Sequence, residues 1–205
     1  MAEELTEKTQ ETIRRGQVEQ AQVRSEGWFR DKVKEITSKG KEIAKGSIGT
    51  VRRQFSRTNP KQFYKEAENK ISKESLDNKV NRGSLFAYWY GPKWEKKLPY
   101  YDLFPMIMMV EEAKDGFIGL NFHYLPPMLR ARLLDRVKNK RMSWNAIKNI
   151  DVVKPAVKRY LTSHVRSKGI IIPQDEEELS IFLPLERFKK ESLATVWKDS
   201  KRKMR

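Results

Sequence analysis

Large apolar residues are sparse in the first eighty positions and dense after Gly83. The first part therefore cannot bury enough surface to offset the entropy of ordering its own chain. Residues 3–23 are rich in Gln and Glu and carry no aromatic, a pattern of helix or disorder. Between residues 26 and 45, Trp28 or Phe29, Val33, Ile36 and Ile43 recur at roughly helical spacing. Arg30, Lys32, Lys34, Lys39 and Lys41 fall elsewhere around the cylinder, so an amphipathic helix is predicted, weakened by Gly40 and Gly46. Gly46, Gly49 and Pro60 mark residues 46–60 as a linker, and residues 61–74 suit a further short helix. Residues 1–82 thus read as an extended, mostly helical or partly disordered arm that orders against a partner.

From Gly83 the pattern shifts to strands. Leu85 to Tyr90 is aromatic and β-prone, and Gly91-Pro92 turns the chain. Met106 to Val110 reads as a buried strand, Asp115-Gly116 as a hairpin turn, and Phe117 to Tyr124 as the returning strand. Pro126-Pro127 ends that strand and opens a helix over 128–138, with Leu129, Leu133, Leu134 and Val137 on one side. Arg132, Arg136 and Lys140 line a neighbouring face. Ser143 suits the cap of a short helix through Ile150, and Pro155 the start of one reaching about Val165. Ile170 to Ile172 and Glu178 to Leu185 complete the strands, and Lys198 to Arg205 reads as a loose basic tail. The predicted class is α+β. A small antiparallel sheet or partly closed barrel over residues 83–205 holds a basic helical insert at about 126–168, and the arm precedes it.

Charge adds a partner class. The chain has 205 residues, 43 Lys and Arg against 27 Asp and Glu, and a formal net charge of +16. Such a balance attracts phosphates through counterion release, although a merely soluble basic protein shares it. The absence of cysteine removes disulfides, thiolate metal sites and a cysteine nucleophile. No apolar run approaches the roughly 20 residues of a membrane span, and the polar, acidic stretch from Met1 to Gln20 is unlike a signal peptide. A soluble protein made in a cytoplasm is expected.

Twelve Lys and Arg fall between Met128 and Lys168 against two acids, Asp135 and Asp151. Arg130, Arg132, Arg136, Lys138, Lys140, Arg141, Lys154, Lys158, Arg159, Arg166 and Lys168 are the candidate DNA-binding cations, with Lys148 beside them. A solvated helix face is the plain alternative; the lack of interleaved acids favours phosphate contact. Trp94, among Lys93, Lys96 and Lys97, is the candidate for stacking on a base. Tyr88, Trp89, Tyr90, Tyr100 and Tyr101 suit either stacking or core packing, and one set of the alternating residues 88–90 must point away from the core.

Signs of catalysis are weak. Asp102 with Glu112-Ala113-Lys114 resembles the Asp, Glu-x-Lys pattern of restriction nucleases, but fits a polar hairpin equally well. His123 and His164 are distant in sequence, and His123 suits a hydrogen-bonded core position. The acidic run Asp175 to Glu178 reads as a solvated turn. No metal, cofactor or catalytic residue is assigned.

Several phrases carry a family resemblance. They are Leu98-Pro99-Tyr100-Tyr101-Asp102 with Phe104-Pro105, and Asp115-Gly116-Phe117-Ile118-Gly119-Leu120-Asn121 leading into His123-Tyr124-Leu125-Pro126-Pro127. Arg130-Ala131, Leu134-Asp135, Lys154-Pro155, Tyr160-Leu161 and Ser163-His164-Val165-Arg166-Ser167 continue the series. Phe182-Leu183-Pro184, Leu185-Glu186-Arg187-Phe188 and Val196-Trp197 complete it. In this order they resemble the DNA end protector proteins of T-even-like tailed bacteriophages. The likeness spans about residues 83–200, and the arm shares only Trp28-Phe29 and its basic surroundings. It implies a virion protein, assembled in the host cytoplasm, that binds the termini of packaged double-stranded DNA. It further implies shielding from host exonuclease and a part in head completion, with no cofactor. Residues 1–82 would then meet other virion structural proteins. The competing readings are a purely structural protein of neck, tail or baseplate, and a metal-dependent nuclease.

Overall fold

A computed structural model describes residues 60–70, 76–77, 81–138, 144–174 and 177–204. The expected helices before Pro60 lie outside this set. Helix α1 spans Pro60–Lys70, overlapping the short helix expected over 61–74 and taking in Pro60 from the expected linker. The short strand β1, Leu76–Asp77, follows it. Strands β2 (Leu85–Ala87), β4 (Met106–Ala113) and β5 (Gly116–Asn121) are neighbours in one antiparallel sheet, and the turn at Lys114-Asp115 closes the predicted hairpin. Strands β6 (Val157–Leu161) and β7 (Gly169–Ile172) extend it on opposite sides, giving the order β1-β7-β2-β4-β5-β6. Strands β3 (Tyr101–Asp102) and β8 (Phe188–Lys189) form a separate pair.

The sheet ends on β1 and β6, two different strands, so of the two expected forms the open antiparallel sheet is present and the partly closed barrel is not. The α+β class stands, and two pieces of the expected arm reach the core. Tyr64 of α1 makes an edge contact with Phe104 at 6.5 Å, and Leu76 pairs with Ile170.

Strand alternation divides the apolar side chains between two cores. Leu85, Ala87, Met106, Met108, Val110, Leu120, Ile170 and Ile172 face one side. Helix α2, Pro127–Lys138, covers them with Leu133, Leu134 and Val137. The one-turn helices α3 (Trp144–Ile147) and α4 (Val153–Ala156) add Ile147, Val153 and Ala156. Phe86, Tyr88, Tyr90, Ile107, Met109, Phe117 and Tyr160 face the other side. Each fully buried side chain of this size contributes ~1.5–3 kcal/mol, so the two-sided burial stabilises strands that would otherwise be short and marginal.

Five sequence expectations give way. The strand expected over Phe117–Tyr124 ends at Asn121, and Phe122–Tyr124 is a short 3-10 turn opened by the Asn121 side chain accepting from the His123 amide. The strand expected over Leu85–Tyr90 stops at Ala87, and Tyr90 keeps only a bridge to Val165. The helix expected from Pro155 is a strand beyond Ala156. Residues Val157–Leu161 pair along β5, with Phe117 stacked on Tyr160 at 5.4 Å, and so cover an edge that would otherwise be unpaired. The strand expected over Glu178–Leu185 opens instead as helix α5, Glu177–Ser180. Ile181, Leu183 and Leu185 do alternate inward, but the Ile181 carbonyl accepts from Arg130 and the Leu183 and Leu185 amides bond locally, so no ladder forms. The tail expected to be loose is helix α6, Leu193–Lys203. Ser192 caps it by accepting from the Thr195 amide at 3.2 Å, and Val196 and Ser200, four apart, are buried.

Candidate nucleic-acid interface

The predicted cations do not form one helical face. Arg130 is fully buried, with 0% exposure. Its guanidinium donates to the carbonyls of Leu125 (2.7 Å) and Ile181 (2.9 Å), pairs with Glu186, and lies 5.7 Å from the centre of the Trp197 ring. Arg130 is therefore a strut of the core and is not available to a phosphate, which corrects its place among the DNA-binding candidates.

Arg132 and Arg136 of α2 are exposed and line a groove of about 450 Å³ with Asn149, Ile150, Asp151, Val152 and Met204. Lys154 is exposed beside it and pairs with Asp151 at 2.8 Å. That bond, with the ammonium's charge, holds the Asp151 carboxyl below its usual range. Lys138 is the last residue of α2; Lys140 and Arg141 lie outside the described residues.

A second and larger depression, about 630 Å³, opens between β6, the 93–101 loop and the end of α6. Tyr90, Tyr100, Tyr101, Tyr124 and Trp94 supply aromatic wall, and Lys93, Lys158, Arg159 and Lys203 supply charge. Trp94 is 55% exposed, with the ammonium groups of Lys93 and Lys97 at 5.3 and 5.0 Å from its ring centre. Its loop is held from outside. The Lys190 ammonium donates to the carbonyls of Glu95 (2.6 Å), Lys96 (3.1 Å) and Leu98 (2.8 Å), and the Tyr101 hydroxyl donates to Glu95. Burial, then the Glu95 bond, pushes the Tyr101 phenol up to about 12.

Lys158 projects into this cleft from β6. Its ammonium donates to the Pro155 carbonyl and sits against the Tyr124 ring. Loss of hydration, and then the like charge of Lys203, lower its pKa to about 7. The next residue, Arg159, is exposed and pairs with Asp115, whose carboxyl that hydrogen bond holds low. Acids thus do interleave with Lys154 and Arg159 in space, contrary to the sequence expectation. Arg166 is exposed, with its guanidinium lying over Gly91, where any Cβ would collide with it; Lys168 is half-buried.

Helix α6 lies between the two depressions. Lys203 lines the cleft and Met204 lines the groove of Arg132 and Arg136. Lys201 and Arg202 are exposed on the same last turn. A cationic track therefore runs from the groove, over the end of α6, to the cleft and Trp94. Arg132, Arg136, Lys158 and Trp94 are candidates from the sequence; sequence reasoning missed Lys203 and the cleft itself. The cleft is built from five separated segments, which periodicity cannot bring together.

The nuclease arrangement does not form. Asp102 is buried, with His123 Nδ1 at 2.7 Å, and accepts from Asn121 Nδ2 (3.3 Å) and from the Phe104 and Arg187 amides (3.1 and 3.2 Å). Glu112 lies exposed near the far end of β4, six residues beyond Met106, which is roughly 20 Å of strand. Among the described residues, no three His, Asp or Glu gather as a metal site would need. Glu177, expected in a solvated turn, is buried instead. No described helix is long and apolar enough to cross a membrane.

The sequence profile of the Phage T4 terminal DNA protecting protein family matches residues 53–200. The chain belongs to that family. It is thus a bacteriophage protein of DNA-end protection, as the resemblance implied. The matched span includes α1, both sheets, the cleft walls other than Lys203, and most of α6; Lys201, Arg202 and Lys203 lie just beyond it. No curated protein and no solved structure matches the chain significantly.

Proposed function

We propose that the chain seats the last turn of a packaged DNA duplex on the cationic track, so that an exonuclease finds no free terminus. The observation that carries this reading is the continuity of charge and aromatic surface across the end of α6, from Arg132 and Arg136 to Lys158, Lys203 and Trp94. Blocking an end requires phosphate affinity and a surface that covers the terminal pair, and it requires no nucleophile. Of the sequence candidates, Arg132, Arg136, Lys158, Arg159, Arg166 and Trp94 serve this role in the proposal, with Lys154 and Lys168 at its margin. The protein acts in the virion after assembly in the host cytoplasm, residues 1–82 meet other virion proteins, and occupation of the DNA end contributes to head completion.

A scaffold of the neck, tail or baseplate is the second reading. It draws on the pairing of Lys154 and Arg159 with acids, which leaves less free charge than the sequence suggests. Exonuclease digestion of linear duplex DNA with and without the chain separates the two. Protection that weakens steeply with salt supports the end-binding reading. Digestion at the unprotected rate, with no affinity above that for nicked circular DNA, overturns it in favour of the scaffold.

A further inference from the structure

We propose that the cleft takes one unpaired nucleotide from the DNA terminus, its base against the exposed ring of Trp94 and its phosphate between Lys158 and Lys203. This rests on the end-binding reading above and specifies what the end must look like to be bound.

Size makes the first distinction. A cleft of about 630 Å³ lies within the range of sites for small ligands, roughly 300–1,000 Å³. A B-form duplex, whose major groove alone is roughly 12 Å wide, cannot enter it. One nucleotide can. The walls make the second. Aromatic faces beside cations are how proteins hold unstacked bases and their backbone. Tyr100 and Tyr124 are fixed against each other at 5.9 Å and against Phe188 at 6.3 and 5.0 Å, whereas Trp94 stands half open at the rim.

Charge makes the third. Lys158 and Lys203 come from β6 and α6 and repel each other within the cleft. The two acids on the lining are already engaged, Asp115 with Arg159 and Asp102 with His123. A phosphate placed between the lysines removes the repulsion and offsets the hydration that Lys158 has lost. The groove of Arg132 and Arg136, across the end of α6, then receives phosphates of the attached strand, which a free mononucleotide lacks. A terminal nucleotide is the one that costs least to unpair, and an overhanging one costs nothing.

The test uses the full chain and a hairpin duplex with one open end. That end is blunt, or carries one unpaired nucleotide at the 5′ or the 3′ side, with 2-aminopurine at the terminal or at an internal position. Closed circular DNA competes. The expected result is that one overhang binds roughly tenfold more tightly than the blunt end, and that only terminal 2-aminopurine is quenched. The overhang that gains identifies the strand polarity. Trp94→Ala and Lys203→Ala, both at exposed positions, lose the overhang advantage, while Lys65→Ala on α1 keeps it. Equal affinity for blunt and overhanging ends, with ends still preferred over circles, overturns the cleft assignment alone. So does an advantage that survives Trp94→Ala and Lys203→Ala. Failure to prefer ends over circles overturns both this inference and the reading beneath it.

Discussion

The Lys158 ammonium lies 4.0 Å from the centre of the Tyr124 ring and donates a 2.8 Å hydrogen bond to the Pro155 carbonyl. The ring face attracts the cation, and the carbonyl satisfies one of its three donors. Burial still wins, and with the Lys203 charge it brings the pKa down from 10.5 to about 7.

A pH dependence follows from that value. Between pH 7 and 10.5 the unfolded chain keeps a proton on Lys158 that the folded chain has released. Folding stability from this group therefore rises with pH across that window, and the buried charge carries its full cost below it. Lys158→Met removes the charge and keeps the stem. Thermal denaturation should show the variant gaining stability relative to the wild type at about pH 6 and losing that advantage as pH rises. DNA binding at about pH 8 should draw in up to roughly one proton, because a phosphate favours the ammonium form. Calorimetry in buffers of different ionisation enthalpy reads that uptake, and the variant should show none. Off its own strand Lys158 meets the Tyr124 ring and the charge of Lys203, so Lys203→Ala should raise the midpoint.

Arg130→Ala should destabilise the fold by about 3–5 kcal/mol, since it removes one partner of the buried Arg130–Glu186 ion pair. It also removes the donors from the Leu125 and Ile181 carbonyls. Urea denaturation measures the loss. A variant as stable as the wild type would show that Arg130 is not the strut described.

Arg132 and Arg136 should behave in the opposite way. Replacing both with Ala should leave the denaturation midpoint nearly unchanged, as exposed substitutions usually do. It should flatten the slope of log affinity against log salt by about 1.8, at ~0.9 per phosphate contact. Filter binding over a salt series checks this. Lys154→Ala should change the slope by less, because Asp151 already neutralises that ammonium.

At Gly116 the neighbouring strand β6 leaves no room for a side chain. A Cβ there would run into the Tyr160 carbonyl oxygen, which belongs to the backbone and cannot swing aside. Gly116→Ala should cost roughly 3 kcal/mol or more. It should also weaken end protection out of proportion, because β6 carries Lys158 and Arg159. Parallel measurements of stability and exonuclease protection test both parts.

Much of the sheet was legible because its strands announce themselves locally. Met106 to Val110 is a continuous apolar run, and Asp115-Gly116 has the chemistry of its turn. Leu133, Leu134 and Val137 keep helical spacing, and they do lie buried under α2. Residues 157–161 were misread because Val, Lys, Arg, Tyr and Leu carry no decisive period. Their strand state is set by the vacant edge of β5, a long-range fact. Ile181, Leu183 and Leu185 misled in the other direction, since inward alternation is shared by strands and by extended chain bonded to a side chain such as Arg130. A count of charges does not give their distribution: Arg130 is buried while Arg132 and Arg136 are exposed, and a run alone does not say which member turns inward. The exposure of Trp94 was legible, because a lone tryptophan among lysines suits a loop and has no apolar neighbours to bury it.

The three carbonyls held by Lys190 bear on kinetics. A rim fastened by a side chain from outside the loop has already surrendered its freedom by the time the chain is folded, so an arriving ligand has little left to organise. Encounter should then be governed by diffusion and long-range attraction, with an association rate that tracks ionic strength. Once the Lys190 tether is cut, by Lys190→Ala, the same ligand would have to wait for the loop to close.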